Sequence, residues 1–304
     1  MKFLLKNIFR IIPVLFIITV IVFVLVRVTG DPVSLMLPET ATDEEQEQLR
    51  ESLGLNEPLY KQYLIYLGDL IKGDFGDSFR YNQPAFDIVM ERLPASFSLA
   101  FASMIVATLI SIPLGILSAI KRNSILDLLI TSASVLGKAM PSFWLGIMLI
   151  LLLAVHLNLF PVSGTGSTKH LVLPAITLGT GIAAEMTRLI RSSMLEILSQ
   201  DYIRTARSKG LFEVIVINKH AFRNALIPVV TIMALQTATL IGGTLITETV
   251  FSWPGMGQLL VQAVDLRDMA VVQAATFVIA ILVIASNLLA DLTYRYLDPR
   301  IKYE

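Results

Sequence analysis

The 304-residue sequence contains no cysteine and little charge, and both deficits narrow what the chain can be. Without cysteine there are no disulfides, no thiolate nucleophile and no cysteine-ligated metal site. Charged residues make up 16% of the chain, hydrophobic residues make up 55%, and the mean hydropathy is +0.71. Soluble domains carry about 25% charged residues. We therefore predict an integral membrane protein.

Sequence patterns for nucleotide and metal chemistry are also missing. The chain has no Walker A pattern, no G-x-G-x-x-G and no H-E-x-x-H. Its three histidines, His156, His170 and His220, are scattered. His156 and His170 flank one predicted loop, but two histidines 14 residues apart are a weak metal signal, and we interpret them as structural or solvated. We expect no bound cofactor, no metal and no catalytic residue in this chain.

Long apolar runs separated by polar segments predict an all-α polytopic membrane protein with six transmembrane helices. The predicted helices lie in residues 11–26, 96–120, 126–155, 171–190, 226–250 and 270–290. We prefer a retained first helix to a cleaved signal peptide because the run exceeds a typical signal-peptide core. Pro141 predicts a kink in the third helix.

Residues 31–95 differ in composition from the apolar runs on either side. They hold 13 acidic and 5 basic residues and no run long enough to span a bilayer. Asp43–Leu53 and Pro58–Ile71 have helical patterns, and leucines and aromatic residues provide a core, which disfavours a disordered acidic linker. We predict an extracytoplasmic helical subdomain here. It follows a tail and first helix in residues 1–30 and precedes a five-helix core in residues 96–304.

The positions of lysine and arginine set the predicted orientation. Short loops rich in these residues face the cytoplasm. The N-terminal tail, the turn at Lys121 and Arg122, the segment 192–225 and the C-terminal tail are basic, whereas the other short loops are poor in basic residues. We therefore predict that both termini and segment 192–225 are cytoplasmic, and that the acidic subdomain lies outside.

Segment 192–225 is a polar island between two long apolar runs. Within it, Asp201–Leu211 has the pattern of a short amphipathic helix. The small residues Ala206 and Gly210 would let the tip of this helix approach the backbone of another protein closely. In a second interpretation, the basic residues of the helix hold it against anionic lipid headgroups. Spacing alone leaves both interpretations open.

The island resembles the EAA loop of ABC importer permeases, in which E-A-A, three residues and Gly are followed after nine residues by I-x-L-P. Ala206 and Gly210 match this pattern. The departures are Arg204 for Glu, Thr205 for the first Ala, His220 for Ile, Phe222 for Leu and Arg223 for Pro. This version, DYIRTARSKG followed by KHAFRNALIPVV, is similar to that of the dipeptide, oligopeptide and nickel permeases.

Motifs elsewhere carry the same resemblance over nearly the whole chain. They are LGLNEPLYKQY at 53–63, GDFGDSF at 73–79, MPSFWLG at 140–146, RSSMLE at 191–196, VFSWPGMGQLL at 250–260 and LDPRIKY at 297–303. The resemblance implies a type I ABC importer permease fold of the first-permease type. It also implies a location in a bacterial or archaeal plasma (inner) membrane.

The function implied by this resemblance is a permease subunit. With a paralogous permease it would form a translocation path for di- or oligopeptides delivered by an extracytoplasmic solute-binding protein. One or two separate ATPase subunits would bind ATP and Mg. Nickel, glutathione and oligosaccharides stay open as substrates. From other classes, a non-transporting scaffold or sensor stays open, as does an intramembrane enzyme, although no G-x-S-x-G or paired His/Asp arrangement is present.

The resemblance also implies which residues contact the ATPase. They are Asp201, Tyr202, Arg204, Thr205, Ala206, Arg207, Lys209, Gly210 and Leu211. For the translocation path or its outer gate, the candidates are Lys138, Glu248 and Met256. Ionisable groups in apolar spans indicate a polar path or a paired structural role, and Glu248 facing the headgroups is equally open. Glu185 and Arg188, three residues apart on one helix, predict an intrahelical ion pair.

Overall fold

The computed structural model describes residues 2–28, 33, 37, 41–52 and 54–297, which are mostly helical. The helices are α1 (Lys2–Val28), α2 (Asp43–Ser52), α3 (Leu59–Lys72), α4 (Ala85–Ile120), α5 (Ile125–Ala139), α6 (Ser142–Leu149), α7 (Thr168–Leu198), α8 (Asp201–Ser208), α9 (Glu213–Ile215), α10 (Arg223–Gly243), α11 (Leu245–Val250), α12 (Met256–Asp265) and α13 (Met269–Leu297). Two π-helical segments, Ile150–His156 and Val216–Phe222, continue α6 and α9. A two-stranded antiparallel hairpin pairs Asp77–Ser78 with Gln83–Pro84.

The described residues form two compact units. The first contains the residues up to Ala95 together with Gly255–Ile284. The second contains Ser96–Pro254 together with the stretch that begins at Ala285. The sequence predicts boundaries after residues 30 and 95. These boundaries separate segments by their predicted membrane topology rather than by contacts, so they stay a prediction.

Local signals explain α2 and α3 in the first unit. At the start of α2, the N–H of Glu45 donates to Thr42 Oγ1 at 3.3 Å, and the N–H of Thr42 donates to the Glu45 carboxylate at 2.9 Å. This reciprocal pair is a capping box, and it satisfies backbone donors that a helix start leaves free. At the end of α3, Gly73 adopts a left-handed conformation with φ of 80°. Both helices confirm the predicted ranges to within one residue, although Leu53 lies outside the described residues.

A core of small and branched apolar side chains packs the first unit. The ring of Phe75 stacks on Phe86 at 6.0 Å and contacts Phe277 at 5.6 Å between centroids. Beside this core, the Ser78 hydroxyl donates to the Asp268 carboxylate, and both residues are buried. The buried apolar residues of the core are Phe75, Ala85, Ile88, Val89, Leu93, Met256, Leu259, Ala263, Val271, Ala274, Ala275 and Val278.

Two described helices are long and apolar enough to cross a bilayer: Ala85–Ile120 and Met269–Thr293. The pair Ile125–Ala139 and Ser142–His156 passes the same test as a unit, but its halves meet at 104°. The single kinked helix predicted for residues 126–155 is therefore wrong. Pro141, which has no N–H to donate, stands between two separate helices. By length and composition the described residues hold two spans, or three if the bent pair is one span, so the count of six stays a prediction.

Other helix ends differ from the predicted span boundaries. α7 runs on to Leu198, so the first part of the polar island belongs to it. The predicted fifth span, 226–250, is divided at Thr244 after two consecutive glycines, which stabilise a helix poorly. Residues 256–265, which lie between the predicted fifth and sixth spans, form α12. Hydropathy locates the apolar part of a helix, and polar residues with good helix propensity extend the helix beyond it.

Helix α7 is central in the second unit, where it packs against α5, α6 and α10. Glycines bring it close to α4 at two levels. A Cβ on Gly179 would lie 2.8 Å from the Ser103 carbonyl oxygen, and one on Gly115 would lie 2.6 Å from the Ile190 Cβ. Both distances are too short for any side chain, so glycine is required for this packing.

Candidate functional site

The short helix α8 contains most of the residues predicted to contact an ATPase. It begins at Asp201, whose carboxylate complements the helix dipole, and ends at Ser208. The chain then turns at Gly210, which has a φ of 76° and donates its N–H to the Arg207 carbonyl at 2.9 Å. Glycine adopts this left-handed conformation readily. The turn at Gly210 ends the helix before Leu211, where the sequence predicts its end.

One side of α8 is buried against the second unit and the other is open. Ile203 is fully buried and Ala206 is 7% exposed. The sequence predicts Ala206 at the docking tip, and the structure has its side chain on the anchoring side of α8. Sequence reasoning also missed Ile203, although an apolar residue three positions before Ala206 is the usual signal of a buried helix face. The open side contains Asp201, Tyr202, Arg204, Thr205, Arg207, Lys209, Gly210 and Leu211.

Two polar contacts hold α8 in place. Arg207 donates twice to the Glu213 carboxylate, at 2.7 and 3.2 Å. This hydrogen-bonded guanidinium lowers the pKa of Glu213, and the carboxylate raises the pKa of Arg207. Asn224 donates to the Tyr202 hydroxyl at 3.1 Å. These contacts join α8 to the residues on either side of the π-helical segment 216–222.

Exposed apolar side chains adjoin the cationic residues of α8. Phe212 is 79% exposed and Val214 is 68% exposed. They were not among the predicted site residues. An exposed apolar patch beside charged residues is typical of a protein interaction surface. We call the open side, from Asp201 to Leu211, together with Phe212 and Val214 the docking surface.

A buried ion pair lies where α7 enters the island. Arg191 donates to both oxygens of the Asp127 carboxylate, at 2.7 and 2.8 Å. The same carboxylate accepts from the Ser118 hydroxyl at 2.5 Å and from the Asn123 N–H at 2.9 Å. The Asp127 side chain is only 6% exposed. The turn between α4 and α5 is therefore fastened to α7 at this point.

A second polar cluster joins three helices further along their apolar stretches. Lys138 of α5 donates to the Glu185 carboxylate of α7 at 2.7 Å, and Gln236 of α10 donates to the same oxygen at 3.2 Å. The predicted pairing of Glu185 with Arg188 is wrong. Glu185 pairs with Lys138, 47 residues away in sequence, because α5 and α7 pack side by side there.

The other two candidate path residues are enclosed. Glu248 is fully buried and accepts from the Ser96 hydroxyl at 2.9 Å and from the Thr244 hydroxyl at 2.8 Å. Met256 is 1% exposed and belongs to the core of the first unit. Of the three candidates only Lys138, with a side chain 55% exposed, has an open surface.

The histidines predicted to be structural or solvated make local contacts. His156 Nδ1 lies 2.7 Å from the Leu151 carbonyl oxygen, and His170 Nδ1 lies 3.0 Å from the Ser167 hydroxyl. Within the part of the chain that the structure describes, no group of three or more His, Asp or Glu side chains could hold a metal ion.

Comparison with known families decides the identity. A family model described as "Binding-protein-dependent transport system inner membrane component" matches residues 111–303. A second, for the N-terminal part of the same kind of component, matches residues 1–100. The chain belongs to this family. As an inner membrane transport component, it is a subunit of a transport system rather than a self-contained enzyme.

Relatives of this transport component include permeases with different named substrates. The oligopeptide transport system permease protein AppB of Bacillus subtilis is 44% identical over 96% of both chains. The dipeptide transport system permease protein DppB of Escherichia coli K12 is 41% identical, over 100% of this chain and 99% of the relative. The glutathione transport system permease protein GsiC of the same strain is 40% identical over all of both chains.

Solved structures confirm the fold of this transport component. The methionine ABC transporter MetNI in an inward-facing conformation is similar with a TM-score of 0.56 at 19% identity, over 69% of this chain and 96% of that one. An amino acid ABC transporter is similar with a TM-score of 0.53 at 13% identity, over 69% and 94%. The chain has the predicted type I ABC importer permease fold. Of the motif LDPRIKY at 297–303, residues 298–303 lie outside the described residues.

Proposed function

We propose that the chain is the permease subunit of an ATP-driven importer of di- and oligopeptides. The observation that carries this proposal is the docking surface, a short helix anchored by Ile203 and Ala206 and open on its other side. The sequence has no nucleotide-binding motif, so energy must enter through a contact with another protein. The relatives named for oligopeptide and dipeptide transport support the substrate class.

The contacts of α8 suggest how motion would pass from an ATPase into the permease. α8 packs against the π-helical segment 216–222, which contacts α7 and continues directly into α10. Since Arg207 and Tyr202 also connect α8 to this region, the docking surface and the two helices would move together. An ATPase drives such a change only if it binds the inward and outward states with different affinity.

The remaining subunits follow from the same proposal. A paralogous permease would complete the translocation path, one or two ATPases would bind ATP and Mg, and a solute-binding protein would deliver the peptide. The acidic helix α2 would face this protein outside the inner membrane. The relative named for glutathione transport makes glutathione the second candidate substrate.

Reconstitution tests the proposed transport directly. The chain, its partner permease, its ATPases and its binding protein would be placed in proteoliposomes with ATP inside and labelled substrate outside. We expect ATP-dependent uptake of dipeptides, with glutathione, nickel and an oligosaccharide as comparison substrates. Uptake of one comparison substrate without peptide uptake would transfer the proposal to that substrate. ATPase binding without uptake of any of them would favour the scaffold alternative.

A pair of substitutions at Gly210 tests the docking surface. A Cβ at this position would meet nothing within 4 Å, but its φ of 76° disfavours any L-residue. Gly210→Ala therefore introduces the backbone strain with little bulk, and Gly210→Trp introduces both. We expect Gly210→Trp to prevent ATPase co-purification or to uncouple hydrolysis from uptake, with normal membrane insertion, while Gly210→Ala keeps most activity. Wild-type transport by Gly210→Trp with its ATPase attached would contradict the assignment.

A further inference from the structure

The open side of α7 is polar through the middle of the helix. Gly181, Glu185, Arg188 and Ser192 recur at intervals of three or four residues, so they share one helix face. Of the residues between them, 182–184, 186, 187 and 190 are buried, and 189 and 191 are half-buried. A polar stripe therefore follows the most exposed face of this part of the helix.

The exposed faces of neighbouring helices have the opposite character. On α4, Phe101 is 71% exposed and Leu109 is 70% exposed; on α5, Leu128 and Leu136 are 66% and 64% exposed. Such faces suit contact with lipid acyl chains. Ionisable side chains inside a membrane are costly in contact with lipid and almost always face a helix-bundle interior or a water-filled cavity. The contrast assigns the apolar faces to lipid and the stripe of α7 to a polar passage.

Lys138, Glu185 and Gln236 lie at a common depth along their helices. Each is about 13 residues, roughly 20 Å, from the helix end that adjoins either the turn at Lys121 or the island. The charge distribution predicts these helix ends at the cytoplasmic surface, and a depth of roughly 20 Å from that surface falls within a hydrocarbon core about 30 Å thick. A Cβ on Gly137 would lie 3.6 Å from the Ala184 Cβ, and this close packing of α5 on α7 positions the cluster.

The exposure of this ion pair distinguishes it from a purely structural one. The Asp127 carboxylate, which fastens two helix ends, is 6% exposed, whereas the side chains of Lys138 and Glu185 are 55% and 35% exposed. Arg188 is also exposed one turn along the same stripe. The cluster is therefore accessible to a charged molecule moving along α7.

We propose that Lys138, Glu185 and Gln236 form the contact site for the charged groups of a peptide in the translocation path, an inference that rests on the proposed function. A zwitterionic peptide can take over both halves of the ion pair. Its carboxylate pairs with Lys138, and its ammonium pairs with Glu185, which still accepts from Gln236. Neither charge loses its partner in this exchange. An uncharged oligosaccharide offers no charge to either side chain, so Lys138 and Glu185 would stay paired with each other and the sugar would gain no ionic contact.

Two neutralising substitutions test this site in the complete reconstituted importer. Lys138→Gln removes the cation and Glu185→Gln removes the anion. The readout is the uptake ratio of Ala-Glu to Ala-Lys, each variant being compared with wild type so that the preference of the binding protein cancels. We expect Lys138→Gln to lower the ratio and Glu185→Gln to raise it, each by about fivefold or more, as expected for charges a few ångströms apart.

A matched control removes the same charge elsewhere. Lys61 forms an exposed ion pair with Glu57 at 2.5 Å, and Lys61→Gln should leave the ratio unchanged. An unchanged uptake ratio in both Lys138→Gln and Glu185→Gln, or an equal shift in Lys61→Gln, would overturn the proposal. If wild type moves no peptide, the proposed function itself fails. If it moves peptides with a ratio insensitive to both substitutions, only this inference fails.

A measurement on the wild-type chain keeps the test independent of variant folding. A dipeptide carrying an aryl azide would be photolysed during turnover and the labelled residues identified by mass spectrometry. We expect labels on α5, α7 and α10 near the three cluster residues. Labelling confined to other helices would overturn the proposal.

Discussion

The ion pairs Asp127–Arg191 and Arg207–Glu213 of the second unit differ in burial. Their contributions to stability should differ accordingly. Removing one partner from a buried pair leaves a buried charge uncompensated. Arg191→Met should therefore lower the free energy of unfolding by about 1.5–3 kcal/mol, because Asp127 loses its charged partner but keeps its hydrogen bonds from Ser118 and Asn123. Asp127→Asn combined with Arg191→Met should cost less than the sum of the two single changes, because the second change removes the uncompensated charge. Thermal unfolding in detergent measures both effects.

The exposed pair of Arg207 and Glu213 is the control for this comparison. Its side chains are 44% and 54% exposed, so Glu213→Gln should cost less than about 1 kcal/mol. Equal losses from Glu213→Gln and Arg191→Met would show that burial does not set the strength of the Asp127 contact. The same result would remove the argument that this contact fastens α7 to the turn between α4 and α5.

Individual side-chain partners were the least predictable feature at this scale. Residues three apart on one helix can be recognised in a sequence, and this spacing predicts an ion pair between Glu185 and Arg188. The actual partner, Lys138, is on another helix, and only packing of α5 against α7 brings it near. The burial of Glu248 between Ser96 and Thr244 likewise cannot be predicted from the sequence, because its hydrogen-bond donor Ser96 is 152 residues away.

Helix packing in the second unit depends on glycines at chosen positions of α7. A Cβ at Gly179 would lie 2.8 Å from the Ser103 carbonyl oxygen and 2.9 Å from Val106, whereas one at Gly181 would meet nothing within 4 Å. We expect Gly179→Ala to force α4 and α7 apart, with a loss of about 1–3 kcal/mol. Gly181→Ala, two residues away, should be neutral or stabilise the helix by about 0.5–1 kcal/mol.

The pair of glycine variants has a simple readout. Melting temperature and recovery of monodisperse protein from the membrane should both fall in Gly179→Ala and hold in Gly181→Ala. Equal behaviour of the two variants would mean that α4 and α7 have room to adjust, and that the close approach at Gly179 is not required.

Helix boundaries were predictable where a local signal exists. The acidic start of α2, Gly73 after α3 and Asp201 at the start of α8 are such signals. The helices α2 and α3 match their predicted ranges to within one residue, and α8 matches at its start. Pro141 predicts a kink, and the structure has a complete break between α5 and α6 at this residue. The sequence does not encode the angle of 104° between α5 and the helix that follows it. That angle depends on how the two helices pack on their neighbours.

For the whole molecule, the distribution of charge matters more than its sum. The chain has 24 basic and 24 acidic residues, yet residues 31–95 contain 13 of the acidic and only 5 of the basic residues. Basic residues gather instead near segment 192–225 and the turn at Lys121. Because lysine and arginine in short loops are retained in the cytoplasm, this asymmetry predicts the orientation of the chain, with the docking surface on the side where ATP is available.

The absence of native cysteine makes this orientation directly measurable with single cysteines. Glu44→Cys lies in α2 and Asn218→Cys in the island, both at exposed positions. A membrane-impermeant maleimide added to spheroplasts should label Glu44→Cys at once and Asn218→Cys only after permeabilisation, because the basic island is held inside. The cysteine-free parent should stay unlabelled under both conditions. Labelling of Asn218→Cys in intact spheroplasts would place the island outside, and since ATP is cytoplasmic, α8 could not then contact an ATPase.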